Sequence, residues 1–120
     1  MKTREIEFRV WDVQRHKFLN HNGASYYEND DGNWIGLPAC LTYPDLYTVQ
    51  QFTGLIDKNE KPVFEGDIIS GSAVEYVTEL ASFGVIRKGI GWTPLGNLFT
   101  SRYSPTIIGN NMENPELIIT

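Results

Sequence analysis

Three acidic side chains occupy positions where acid–base or metal chemistry is conceivable: Asp12, Glu65 and Asp67. Two carboxylates converging in one cleft can hold a divalent cation or share the roles of general acid and base. Their contexts favour a plainer role. Asp12 closes a strand-like run, and Glu65-Gly66-Asp67 forms a turn, where short acidic side chains accept hydrogen bonds from nearby backbone N–H groups. His16 and His21 have no cysteine or acidic neighbour at metal-ligand spacing. Cys40 is the one cysteine. It could be a nucleophile served by a distant histidine, but Pro38, Leu41 and Tyr43 around it suit a small packed hydrophobe. The glycines form neither phosphate-loop pattern, and no G-x-S-x-G elbow is present. The sequence therefore predicts no catalytic residue, no metal ligand and no cofactor.

A second kind of chemistry is recognition. Arg4, Arg9, Arg15, His16 and Lys17 make the N-terminal stretch locally basic. With exposed aromatics such a stretch could contact a single-stranded nucleic acid, although charges of this kind more often solvate an outer strand face. Trp11, Tyr26, Tyr27, Trp34, Tyr43, Tyr47, Phe52 and Phe64 could line a groove for bases or a peptide, or fill a core and a subunit interface.

The elements that must position these residues are short. Among 120 residues, 41% are hydrophobic and 12% aromatic, and there are eleven Gly and six Pro. That is too apolar for disorder and rich in turns. Ten basic residues against fifteen acidic ones give a net charge of −5, which argues against general duplex-DNA binding. A single cysteine makes no intrachain disulfide. Met1-Lys2-Thr3-Arg4-Glu5 lacks the apolar stretch of a secretion signal, and no window approaches membrane-spanning length. A soluble cytoplasmic protein is expected.

Along the chain, Ile6, Phe8 and Val10 alternate with Glu7, Arg9 and Trp11, the period of a half-buried strand. Trp11 falls on the nominally polar face, so another segment should cover that face. Residues 24–27 and 34–37 read as short strands joined at an Asp-Gly-Asn turn. Residues 38–44 read as a connection. Residues 47–53 suit a strand or a one-turn helix, ended either way by Gly54. A charged turn at 57–61 leads to Val63-Phe64, the Gly66 turn and an Ile68-Ile69 strand. Residues 73–81 fit strand or helix, 83–87 a strand, 92–104 mostly loop with room for a short helical turn around Leu98-Phe99, and Thr106-Ile107-Ile108 a last strand. Short strands separated by Gly, Asn and Asp turns predict a mainly β barrel or sandwich.

Four blocks in order resemble the YopX family, small proteins encoded mainly by bacteriophages and prophages. They are Arg4-Glu5-Ile6-Glu7-Phe8-Arg9-Val10-Trp11-Asp12, Gln51-Phe52-Thr53-Gly54-Leu55-Ile56-Asp57-Lys58-Asn59, Val63-Phe64-Glu65-Gly66-Asp67-Ile68-Ile69, and Ile107-Ile108-Gly109-Asn110 with Glu113-Asn114-Pro115-Glu116-Leu117. Within them Trp11, Asp12, Gly54, Gly66, Asp67, Gly109 and Pro115 carry the motif as structural positions. Glu60 replaces the Gly usual in the charged turn, so Asn59 is expected to take any positive φ there. The resemblance implies a small SH3-like barrel, oligomeric relatives and no established enzymatic activity.

The expectation is thus a single domain over 1–120, mainly β, with a small SH3-like barrel at 46–120 plus the strand at 4–12. An inserted arm or hairpin occupies 19–45. Tyr26, Tyr27, Trp34, Ile35 and Leu37 have no obvious place in such a barrel and form the candidate interaction surface. The expected function is that of a non-enzymatic, self-associating phage or prophage accessory protein in the bacterial cytoplasm. Its partners would be copies of itself, or a phage or host protein, and not a membrane. The alternative is a small barrel associated with single-stranded nucleic acid through Arg4, Arg9, Arg15 and Lys17.

Overall fold

The computed structural model describes residues 6–22, 26–87, 89–99 and 104–118. The fold is mainly β. The chain divides into two units, Ile6–Gln51 and a C-terminal unit that begins at Phe52. Among the described residues no helix is long and apolar enough to cross a membrane.

In the N-terminal unit, β1 (Phe8–Asp12) and β2 (Lys17–Phe18) pair antiparallel with Trp11 opposite Phe18 and Asp12 opposite Lys17. His16 closes the intervening loop at φ +54°. Then β3 (Asn20–Asn22), β4 (Tyr26–Glu28) and β5 (Trp34–Gly36) build a three-stranded antiparallel sheet. The connection expected at 38–44 is instead largely a helix, α1 (Leu37–Thr42), with Pro38 in its first turn. A proline there loses no helical hydrogen bond, because the first N–H groups of a helix have no intrahelical acceptor. The first half of β6 (Tyr47–Ile56) pairs antiparallel with β1, from Phe8–Gln51 to Asp12–Tyr47.

These elements enclose one core of Val10, Leu19, Tyr27 and Cys40, with Ile35, Leu37, Tyr47 and Val49 packed against it. The grouping differs from the expected arm at 19–45 and from a strand 4–12 belonging with 46–120. The segment and β1 share a core, because Tyr27 and Ile35, opposite each other on β4 and β5, turn to the same side. Trp11 is only 2% exposed and meets Phe18 edge-on at 5.0 Å, so its face is covered as the alternation predicts.

In the C-terminal unit, β6 continues through Gly54 instead of ending there. Gly54 has φ +91°, and the pairing with β7 (Pro62–Phe64) shifts register between Phe52 and Ile56, so the glycine marks a bulge. β8 (Asp67–Ile69) is buried on both faces and pairs with β9 (Ser72–Ala73) across a two-residue turn. Ser70 and Gly71 both have positive φ there, at +54° and +81°, the requirement of the turn that matches strand twist. The ambiguous stretch at 73–81 resolves as the end of β9, then β10 (Glu75–Val77) and a 3₁₀ turn at Thr78–Leu80. β11 (Ser82–Arg87) lies between β10 and β12 (Gly91–Pro94). The expected loop at 92–104 therefore begins as strand and continues as a 3₁₀ turn at Leu95–Leu98. Gly84 makes that pairing possible. A Cβ there would stand 2.5 Å from the Trp92 ring and 2.7 Å from the Thr93 carbonyl oxygen.

The last strand, β13 (Gly109–Asn110), begins after the expected Thr106–Ile108. Pro105 has no N–H, its carbonyl accepts the Lys58 N–H at 3.2 Å, and the Ile107 N–H goes to the Asp57 carboxylate at 3.1 Å, so this stretch makes no regular ladder before Ile108 bonds the Ile68 carbonyl of β8 at 3.0 Å. Val63, Ile69, Val74, Val85 and Leu95 form the core, with Leu55, Phe83, Leu98, Phe99 and Ile107 against it.

Two five-residue loops obey one rule. Asn29 Oδ1 accepts the N–H groups of Asp31 and Asn33 at 3.0 Å, and Asp57 Oδ1 accepts those of Asn59 and Lys61 at 2.8 Å. The fourth position is Gly32 at φ +80° in one loop and Glu60 at φ +64° in the other. Glu60 itself, and not Asn59, takes the left-handed conformation, because the carboxylate cap fixes which residue must turn. A side chain in that conformation costs about 1 kcal/mol. Glu60→Gly is therefore expected to raise stability by up to about 1 kcal/mol in denaturant unfolding; a loss of stability would show that the side chain is not strained there.

Candidate functional site

The chemistry-bearing side chains resolve into local networks. Asp12 is 3% exposed. Its Oδ1 accepts the N–H groups of Gln14 at 3.1 Å and Arg15 at 3.2 Å, and its Oδ2 takes Arg15 Nη1 at 3.0 Å. The carboxylate thereby closes the β1–β2 loop. Asp67, 2% exposed, accepts the Phe64 N–H on Oδ2 at 2.8 Å and Asn110 Nδ2 on Oδ1 at 3.1 Å. Gly66, at φ +84°, lets the chain bend so that its carbonyl takes the Asn111 N–H at 2.7 Å.

Gly109 and Pro115 belong to the same construction. Asn110 Oδ1 accepts the Met112 N–H and Asn114 Oδ1 accepts the Asn110 N–H. Pro115 opens the 3₁₀ turn Pro115–Leu117. A Cβ on Gly109 would stand 2.8 Å from both Asn114 Oδ1 and Leu117 Cδ1. The third and fourth sequence blocks thus interlock through Asp67 and Asn110, and the second joins the fourth through Asp57 and Ile107. Asp57 was not singled out in the sequence; its signal was an Asp two and four residues before Asn59 and Lys61, the spacing of a side-chain-capped turn.

The remaining polar candidates are similarly placed. Among the described residues no three His, Cys, Asp or Glu side chains gather as a metal site. His21 stacks on Tyr27 with ring centroids 5.1 Å apart and stands 3.9 Å from Glu7 Oε1, while His16 meets Trp11 edge-on. Burial pushes the Tyr27 hydroxyl above its ordinary range, and it donates to the Phe8 carbonyl at 2.9 Å. Cys40 lines an open groove of about 290 Å³ with Leu41, Pro44, Tyr47, Thr48 and Val49. Burial raises its thiol too, which disfavours the nucleophilic thiolate.

The expected basic contacts are engaged inside the N-terminal unit. Arg9 donates from Nε to Gln50 Oε1 at 3.0 Å and lies 4.6 Å over the Phe18 ring. Arg15 bridges Asp12 and Asp31, and Lys17 Nζ contacts Asp30 Oδ2 at 2.7 Å. Arg4 lies outside the described residues.

Of the five candidate interface residues, the structure separates two from three. Tyr27 is fully buried, so it is no surface residue: its ring fills the core and its hydroxyl is bonded to backbone. Ile35 and Leu37 are half-buried against the same core. Tyr26 and Trp34 remain 58% and 57% exposed. Tyr26 pairs with Gly36 and Glu28 with Trp34, so period-two alternation puts both aromatics on the face of the β3–β5 sheet opposite the core. The sequence signal was that alternation, read across Tyr26-Tyr27 and Trp34-Ile35.

Comparison with known families matches residues 7–119 to the model described as YopX protein. Comparison with curated proteins finds no match. Among solved structures, the chain is similar to the crystal structure of a protein from Enterococcus faecalis, with 24% identity, a TM-score of 0.55, and coverage of 98% of this chain and 100% of that one. That likeness supports the fold.

Asp57 gives a pH-dependent expectation. Burial pushes its carboxyl up, but the N–H donors of Ile107, Lys61 and Asn59 outweigh burial and hold it below the ordinary carboxylate value. A carboxyl that ionises more readily in the folded chain contributes stability fully above its unfolded pKa, and loses it as pH falls through its folded pKa. Asp57→Asn is expected to cost about 1–3 kcal/mol at neutral pH by leaving a backbone donor unmet. In urea titrations across pH the difference from wild type should shrink below about pH 4; a gap independent of pH would contradict the assignment.

Proposed function

We propose that this chain, which belongs to the YopX family, is a non-enzymatic interaction module that self-associates through the outer face of its β3–β4–β5 sheet and serves as a phage or prophage accessory protein in the bacterial cytoplasm. The observation that carries this reading is the pair Tyr26 and Trp34, both more than half exposed on one sheet face whose other side is committed to the core. Large aromatics supply much of the contact energy when two surfaces meet, because each buries a rigid apolar area at small entropic cost. A sheet with aromatics on both faces suits burial on both faces.

The non-enzymatic part of the reading is supported by what the carboxylates do. Asp12, Asp57 and Asp67 spend their oxygens on backbone N–H groups, Arg15 and Asn110. A carboxylate so satisfied cannot move a substrate proton without dismantling its own turn. Cys40 packs in the core with Val10, Leu19 and Tyr27, and His16 and His21 pack against the Trp11 and Tyr27 rings.

Multi-angle light scattering should find the wild type larger than a monomer. Tyr26→Ser with Trp34→Ser should shift it to the monomer without lowering thermal stability, since both side chains lie outside the core. A wild type that is monomeric at high concentration would overturn the proposal.

A further inference from the structure

The β3–β4–β5 sheet ends at β5, which has no strand on its second edge among the described residues. The ladder decides which backbone groups face that edge. The Asn29 N–H donates to the Asn33 carbonyl at 3.0 Å, and this pair continues the register Glu28–Trp34, Tyr27–Ile35 and Tyr26–Gly36. Bonded and non-bonded pairs alternate in an antiparallel ladder. Asn33 and Ile35 therefore bond toward β4, while Trp34 and Gly36 direct their N–H and C=O groups away from it. Such an edge is a template for another strand. Trp34-Ile35-Gly36 carries neither the charge nor the proline that blunts an edge against pairing.

A second copy of the same edge fits it. Each chain carries a net charge of −5, so two copies meet at least cost where neither presents a charge. Self-pairing of this strand, antiparallel, has its two-fold axis at the middle residue, Ile35. That register sets Trp34 opposite the partner's Gly36, with the Gly36 N–H of each copy aimed at the Trp34 carbonyl of the other. The side chains agree with it. Trp34 lies across from a residue with no side chain, and the next position along that row is the partner's Tyr26. The Tyr26 ring already leans toward this place, its Cε1 3.8 Å from where a Gly36 Cβ would stand. Glu28 shares its row with Trp34, so the two copies of Glu28 fall in different rows and do not oppose each other.

We propose that two copies of this chain join edge to edge through β5, antiparallel about Ile35, so that the β3–β4–β5 sheet of one continues into that of the other and each Trp34 seats over the partner's Gly36 against the partner's Tyr26. The inference rests on the self-association reading and gives it a register and a two-fold axis. The pair is closed, because each copy spends the same edge on the other.

The test removes one backbone donor. Gly36 has φ −77° and ψ 152°, a conformation that proline adopts, and its N–H points away from β4. A Cβ there would meet Pro38 at 3.6 Å and Tyr26 at 3.8 Å, ordinary contact distances. Gly36→Pro should therefore keep the melting temperature of the monomer but fail to associate in light scattering, whereas Gly36→Ala, which keeps the N–H, should associate. A folded Gly36→Pro variant that associates as the wild type does overturns the edge pairing and leaves self-association standing. Amide hydrogen exchange of the full-length wild type gives the same decision without a substitution. Where about nine chains in ten are paired, the Gly36 amide should exchange about tenfold more slowly than in dilute protein, while the Ile35 amide is protected in both. Association that leaves the Gly36 amide unchanged overturns the proposal. A wild type that stays monomeric removes the self-association reading itself, and the edge pairing with it.

Discussion

The C-terminal unit turns on one buried carboxylate. Asp67 begins a strand with no exposed face, and its two oxygens reach in different directions, one to the Phe64 N–H and one to the Asn110 amide. The first bond fixes the Gly66 bend between β7 and β8. The second holds β13 at the edge of β8, where only two residue pairs make the ladder. A buried carboxylate is costly unless its oxygens are met by donors, so each donor is required by the charge as much as it requires the charge. Asn110 then uses its own Oδ1 to arrange the following turn. Gly109 lacks a side chain where Asn114 and Leu117 press closest.

This accounts for much of what the family-like blocks contain. Acidic and amide residues recur in them because hairpins with short ladders need side chains to complete their backbone bonding. Asp12, Asn29 and Asp57 each satisfy N–H groups in the loop they open. Asp57 and Asp67 additionally reach across to the C-terminal segment. Asp12, Asp57 and Asp67, acidic by type, are thus the mortar of turns, while Tyr26 and Trp34 stay exposed on the outer β4–β5 face.

The sequence made the short strands and their turns legible because alternation and glycine leave local marks. Phe8–Asp12, the 57–61 turn and the Asp67–Ile69 strand can all be read from a few neighbouring residues. What escaped was non-local or atypical. The helix at Leu37–Thr42 is too short to show a helical period. Gly54 bends β6 without ending it, which depends on the partner strand accepting a bulge. Ile107 looks like a strand residue, but Asp57, fifty positions earlier, takes its N–H. For the candidate surface, alternation distinguishes Tyr26 from Tyr27 only once the direction of the core is known, so a sequence reading takes both as interface. The basic stretch was visible as charge, whereas its neutralisation by Asp30 and Asp31 arises only when two hairpins are brought side by side.

The claim that the acidic blocks build the fold is tested most directly by a double-mutant cycle on Asp67→Ala and Asn110→Ala, followed by urea unfolding. If the two side chains form one buried network, the double variant should be more stable than the sum of the single losses predicts, with a coupling of about 1–2 kcal/mol. Losses that add to within about 0.3–0.5 kcal/mol would contradict the account, because they would mean that Asp67 and Asn110 act independently.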